Sequence, residues 1–145
     1  MPEQKLPAVA YRHPVRVYWE DTDAGGIVFY ANYLKFFERA RTEWLRSLGF
    51  AQHRMQAEQG VIFVVAETSL RHLRPARLDD LLDVTVAVAE VARVSLRLRQ
   101  QAWRGDELLA EGTVRLGCVH AAGGSGADLE PCRMPAAVLE KIQPR

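Results

Sequence analysis

Cysteine is nearly absent from this 145-residue chain, with Cys118 and Cys132 the whole complement. Two thiols exclude a disulfide-stapled scaffold and a four-thiolate zinc site, and they fit a cytoplasmic protein with reduced thiols. A surplus of one charge is missing as well. The 19 Lys+Arg against 18 Asp+Glu leave a net charge of +1, without the cationic excess on which a nucleic-acid binder depends. A small basic pocket for one phosphorylated ligand stays compatible with that balance. No apolar run approaches the roughly 20 residues of a membrane span. The opening MPEQKLPAVAYRHPVRV lacks the apolar stretch of a secretory signal. Familiar catalytic signatures are missing too: the glycines at 123–126 are followed by Ala127, so GGSGA is not a nucleophile elbow. There is no phosphate-binding or dinucleotide-binding glycine loop. His13, His53, His72 and His120 have no metal-ligand spacing.

What is present is an ordinary globular composition, 48% hydrophobic and 26% charged. The length predicts a single domain over residues 1–145, with 1–12 and 121–145 peripheral. Residues Met1 to His13 read as a frayed lead-in. Val15, Val17 and Trp19 alternate as a strand. From about Phe29 to Leu48, apolar residues recur at steps of three and four: Tyr33, Phe37, Ala40, Trp44 and Leu48, widened by Leu34 and Leu45 and flanked by Phe36. That stripe exceeds the roughly 100° of an ordinary surface helix and predicts a broadly covered one. A short helix is expected at Ala51–Glu58. Four strands follow in sequence, at Val61–Leu73, Leu82–Val91, Ser95–Trp103 and Leu108–His120, with Gly105-Asp106 as a hairpin tip. A surface loop at 121–128 and a short terminal helix at Pro135–Ile142 complete the chain. The order predicts an α+β protein, a five-stranded antiparallel sheet wrapped around one long helix. Such a sheet has two edges, and pairing between copies would cover one of them.

Chemistry concentrates in EDTDAGGIVFYANY, residues 20–33. Asp21 and Asp23 precede Gly25 and Gly26, which precede the start of the long helix. A helix start carries unpaired N–H groups and the positive end of the macrodipole. A carboxylate a few residues upstream is therefore a nucleophile or base beside an oxyanion-binding end. The same residues also suit a capping Asp in a tight turn, and the pattern alone leaves both readings open. A calcium loop fits poorly, because its twelfth position is Asn32 where Glu is required. Paired carboxylates for sugar hydrolysis find no obvious cleft in so small a fold.

Arg41 falls inside the apolar arc of the long helix. It is either a stem with its head in water or half of a buried ion pair with a carboxylate, within the chain or across a subunit contact. At 1.5 Å per residue it lies about 16 Å from the helix start, so it is assigned no part in the chemistry. Arg71, Arg74, Arg77, Arg93, Arg97 and Arg99 lie on the strands and their loops. Their forks match phosphate geometry, and they equally suit a solvated strand face. His53 and His72 read as surface or packing residues, and Cys118 as core filler.

The stretch EDTDAGGIVFYANYLKFFERARTEWLR resembles the hotdog-fold acyl-CoA thioesterases, nearest the branch associated with the bacterial Tol-Pal system. The 4-hydroxybenzoyl-CoA thioesterase is a more distant likeness. The resemblance extends over about residues 12–120 and includes LRPARLDDLLDV, similar to the family's turn between its second and third strands. It implies a hotdog fold in a homodimer with a continuous sheet, or a homotetramer, with the acyl site at the subunit interface. It implies that Asp23 is catalytic, that the Tyr30 backbone N–H polarises the thioester carbonyl, and that Arg93 meets the phosphates of CoA. The substrate is a CoA thioester or one on an acyl carrier protein, with no metal or redox cofactor. Many members of that branch carry His where this chain has Tyr30. A backbone donor tolerates that exchange. Other readings are a hotdog hydratase, for which no His lies near Asp23 in sequence, and a non-hydrolytic acyl-thioester or acyl-carrier binding module.

Overall fold

A long helix and an antiparallel sheet share most of the chain. The computed structural model describes residues 7–121 and 129–143. The strands are β1 (Val9–Arg16), β2 (Val61–His72), β3 (Leu81–Val91), β4 (Ser95–Arg104), β5 (Glu107–Ala121) and a short β6 (Leu129–Pro131). The helices are α1 (Asn32–Ser47), α2 (Gln52–Gln59) and α3 (Ala136–Lys141). The sheet runs β1-β3-β4-β5-β2, with β6 alongside β5. Every pairing among the described residues is antiparallel.

The expected helix-in-sheet α+β architecture is present, with a sixth short strand added to the five. Only β3, β4 and β5 meander. β2 crosses to the far edge and pairs with β5 from Val61↔His120 to His72↔Ala110. The edges are therefore β1 and β2. The surface loop expected at 121–128 lies, from residue 122, outside the described residues.

α1 packs on β1 and β3. Tyr33, Phe36, Phe37, Ala40, Trp44 and Leu45 are its buried positions, and Leu34 is exposed rather than part of the stripe. These rings meet Leu82, Val84, Val86, Leu96 and Leu98 in one apolar cluster. Truncating a side chain as enclosed as Phe36 to Ala costs about 3–5 kcal/mol in such cores.

The lead-in ends earlier than the sequence pattern suggests. β1 starts at Val9, and its inward alternation begins at Tyr11. Pro14 obscures that strand in the sequence, but an edge strand tolerates a residue without an N–H. At the other end β1 stops before Trp19, which is 80% exposed in a single turn of 3-10 helix, Trp19–Asp21.

Within the protomer, Arg41 is met by an amide and by no carboxylate of its own chain among the described residues. Its Nη1 donates to Gln100 Oε1 at 3.0 Å, and burial lowers its pKa, with Glu38 opposing. Gln100 is itself buried and donates Nε2 to the carbonyls of Phe37, at 3.0 Å, and Thr85, at 3.4 Å. The amide thus ties α1 to β3 while its oxygen satisfies the guanidinium.

Candidate active site

The loop between β1 and α1 is held by its own backbone. Asp21 is buried, and its Oδ2 accepts the Tyr18 N–H at 2.8 Å. Its carbonyl accepts the Phe29 N–H at 2.9 Å and the Asn32 side-chain amide at 2.9 Å. Asp21 is therefore a tie across the loop. Asp23 is exposed at the tip. Its N–H donates to Ile27 O at 2.9 Å, and its carbonyl accepts the Gly26 N–H at 3.0 Å. Its Oδ1 accepts the Gly25 N–H at 2.8 Å. A Cβ on Gly25 would lie 3.2 Å from that oxygen, and Gly26 turns the chain at φ +78°. The two glycines let the carboxylate fold over the turn.

The helix begins later than the apolar spacing predicts, at Asn32 rather than about Phe29. Residues 22 and 28 form one bridge and residues 27 and 77 another, so the chain stays extended until Phe29. Tyr30 consequently sits just ahead of the Ala31 cap. Among the described residues, the N–H groups of Tyr30 and Ala31 meet no hydrogen-bond acceptor, whereas that of Asn32 donates to Phe29 O at 2.8 Å.

The turn between β2 and β3 docks on this loop. The Val28 N–H reaches Ala76 O, and Val17 exchanges backbone bonds with Asp79 and Asp80. The Ala76 N–H donates to Tyr33 Oη at 3.3 Å, between residues 43 positions apart. Burial raises the Tyr33 phenol above the ordinary tyrosine range, opposed by the Ala76 bond. Tyr33→Phe should leave the Ala76 N–H buried without an acceptor and cost about 1–3 kcal/mol by urea unfolding. A loss below about 0.5 kcal/mol would show that this bond does not hold the turn.

A cavity of about 320 Å³ opens where turn, loop and helix meet, walled by Tyr30, Tyr33, His72 and Pro75 with Ile27 and Val28 below. The His72 ring lies 6.2 Å from that of Tyr30 and 5.4 Å from that of Tyr33, centroid to centroid. The structure thus brings Tyr30 to the cavity wall but leaves Asp23 and Arg93 off it. His72 is the wall residue that the sequence reading set aside as surface or packing. Nothing in the spacing marks it, because the crossover of β2 alone carries it there.

Arg93 lies in the turn after β3, where its carbonyl accepts the Met134 N–H at 3.1 Å. The docked turn precedes β3, so the 11 residues of that strand, at about 3.4 Å each, separate Arg93 from the cavity of its own chain. The other arginines sort by their partners. Arg74 pairs with Glu107 at 2.9 Å and Arg99 with Glu111 at 3.0 Å. Arg71 and Arg97 make looser pairs with Glu111, at 3.7 Å, and Glu90, at 3.9 Å. Arg71, Arg97 and Arg99 thus lie on a strand face among glutamates, whereas Arg74 stands past the end of β2 and lines the cavity. Among the described residues, Arg77 and Arg93 form no ion pair.

The thioesterase superfamily model matches residues 25–111, from the two glycines through α1, α2 and β2–β4 to the start of β5. The chain belongs to the thioesterase superfamily. It is 47% identical over 109 residues to the acyl-CoA thioesterase YbgC of Haemophilus influenzae, covering 75% of this chain and 80% of that protein. It is 44% identical over 134 residues to the acyl-CoA thioester hydrolase YbgC of Escherichia coli, covering 92% and 96%. The crystal structure of a probable thioesterase from Bartonella henselae superposes with a TM-score of 0.78 at 30% identity, covering 88% of this chain and all of that one. This thioesterase is an enzyme, a thioester hydrolase with the hotdog fold of its structural neighbours. No helix among its described residues is long and apolar enough to cross a membrane.

Proposed function

We propose that the enzyme hydrolyses acyl-CoA thioesters, with Asp23 as nucleophile or general base and the Tyr30 backbone N–H as oxyanion donor. The observation that carries this reading is that Tyr30, a residue of the cavity wall, has a backbone N–H that meets no acceptor among the described residues, one residue before the cap of α1. A carbonyl oxygen seated there gains charge in the transition state and meets an oriented donor and the helix dipole. One such donor contributes roughly 3–4 kcal/mol. On this reading the cavity wall accepts the acyl group, and Asp23 has to reach the thioester from the exposed loop tip, off that wall, where it now accepts the Gly25 N–H. The relatives named as acyl-CoA thioesterases support CoA as the carrier. The same thioester can arrive on an acyl carrier protein.

The placement of Arg93 makes the second protomer part of the reading. β2 is a 12-residue edge strand with Val65 52% exposed. If two β2 edges pair about a two-fold axis they run antiparallel. The far end of one protomer then lies beside the cavity end of the other. The partner's Arg93 would stand four strands from the cavity, about 19 Å at the usual strand spacing, within reach of the phosphate end of CoA. On this reading the enzyme is a homodimer or a dimer of dimers, cytoplasmic, in the Tol-Pal-associated branch, and it needs no metal or redox cofactor.

Thiol release measured across short, long and aromatic acyl-CoAs tests the reading. Saturable hydrolysis of at least one class is expected. Hydration of crotonyl-CoA without thiol release, or binding without turnover across the whole panel, would overturn it. Arg41 lies in the cleft between α1 and β2 beside Phe63 and Val65, next to the proposed contact. Arg41→Leu should weaken assembly by light scattering and change kcat less than about twofold at concentrations where the oligomer persists. Turnover lost in an intact oligomer would contradict that assignment.

A further inference from the structure

The two cysteines, 14 positions apart, meet across the end of the sheet with Sγ···Sγ at 3.6 Å. β5 and β6 pair from Ala121↔Leu129 to Val119↔Pro131, and the next rung of that register is Cys118 opposite Cys132. The Cys132 N–H donates to Cys118 O at 2.9 Å, and the Cys118 N–H donates to Val94 O at 2.8 Å. This rung is where β6 takes over from β4 as the neighbour of β5. Cys118 is fully buried, whereas Cys132 is partly open to solvent. The segment after Cys132 straps the molecule. Met134, Val138 and Ile142 enter the core, and Lys141 Nζ donates to Leu48 O at 3.1 Å.

We propose that Cys118 and Cys132 form a dithiol oxidation site that hydroperoxides convert reversibly to a disulfide, fastening the C-terminal strap to β5. The sulfurs need to close by about 1.5 Å to reach bonding distance, a side-chain movement between residues already locked in register. Burial pushes the Cys118 thiol up to about 12, helped by its hydrogen bond to Cys132, so attack begins at Cys132. The Cys132 thiolate attacks one peroxide oxygen. The O–O bond breaks, giving a sulfenic acid on Cys132 and hydroxide, which is protonated to water. The Cys118 sulfur then displaces the hydroxyl group. The S–S bond forms, the S–O bond breaks, and the Cys118 proton leaves with the hydroxide as a second water. Two thiols are oxidised and one hydrogen peroxide is reduced to two waters.

The test uses the full chain, reduced, freed of reductant and treated with hydrogen peroxide in native buffer. The intact mass should fall by about 2 Da, and titratable thiols in denaturant should drop from two to none. Both cysteines share one tryptic peptide, so cleavage at Asp128 is used to reveal two linked fragments. The melting temperature should rise by at least about 5 °C on oxidation and return with dithiothreitol. Cys132→Ser should show no mass change under the same treatment. Oxygen added to a single cysteine without the 2 Da loss, cross-linking only between chains, or two thiols still free would each overturn the proposal.

Discussion

Asp23→Asn should lower kcat for acyl-CoA hydrolysis at least about a hundredfold, with fold and assembly unchanged. Asn keeps the shape of Asp and an oxygen to accept the Gly25 N–H, which Asp23 Oδ1 now takes at 2.8 Å. The turn through Gly26 is built from backbone bonds that the substitution does not touch. What disappears is the carboxylate, and with it both the nucleophile and the general base. KM should move little, because neither the cavity wall nor the Tyr30 N–H is altered. Steady-state thiol release, read beside circular dichroism and size-exclusion profiles, decides the matter. Near-normal turnover would remove Asp23 from the mechanism. Asp21→Asn supplies the contrast. Asp21 is buried and accepts the Tyr18 N–H, so its substitution should act mainly on the stability of the loop. Equal losses of kcat in the two variants would leave no ground for assigning the chemistry to Asp23.

Gly112→Ala should be the most damaging single-methyl addition in the sheet. A Cβ at this position would stand 2.1 Å from Ser69 O, 3.2 Å from Ser69 C and 3.4 Å from Leu70 Cα, all of them backbone atoms of β2. No rotamer change relieves such a contact, so β2 must move away from β5. The displaced strand is the one that ends in His72 and leads to Pro75, two walls of the cavity. A destabilisation of about 3 kcal/mol, at the upper end for overpacking, is expected by urea unfolding. A loss of kcat/KM should persist under conditions where the variant is still folded. Stability within about 0.5 kcal/mol of the parent would mean that the strands separate there without cost.

Local pattern carried much of this molecule. The three- and four-residue spacing of Tyr33, Phe37, Ala40 and Trp44 marks α1, because a helix core face repeats at that period whatever lies opposite. Alternation at Val84, Val86 and Val88, and at Leu96 and Leu98, marks the strands for the same reason. The DTDAGG turn is legible because glycine tolerates backbone angles that other residues resist. Local pattern misplaced features whose cause lies elsewhere in the chain. β1 looks frayed because the edge position that tolerates Pro14 is a property of the whole sheet. Leu34 looks like core, yet the neighbouring elements leave that side of α1 open. α1 starts at Asn32 because the turn after β2 pairs with residues 27 and 28 and keeps them extended.

By itself, then, the sequence determined the element types, the helix-in-sheet class and the carboxylate-glycine-helix order of the candidate site, all of which depend on near neighbours. The tertiary structure alone decided that β2 crosses to the edge, that His72 joins Tyr30 and Tyr33 at one cavity, and that Arg41 meets Gln100 within the protomer. It also separated the arginines already paired with glutamates from Arg77 and Arg93, and set Cys118 against Cys132. Each of these joins residues far apart in the chain, and their meeting follows from strand order and packing, which no short window of sequence contains.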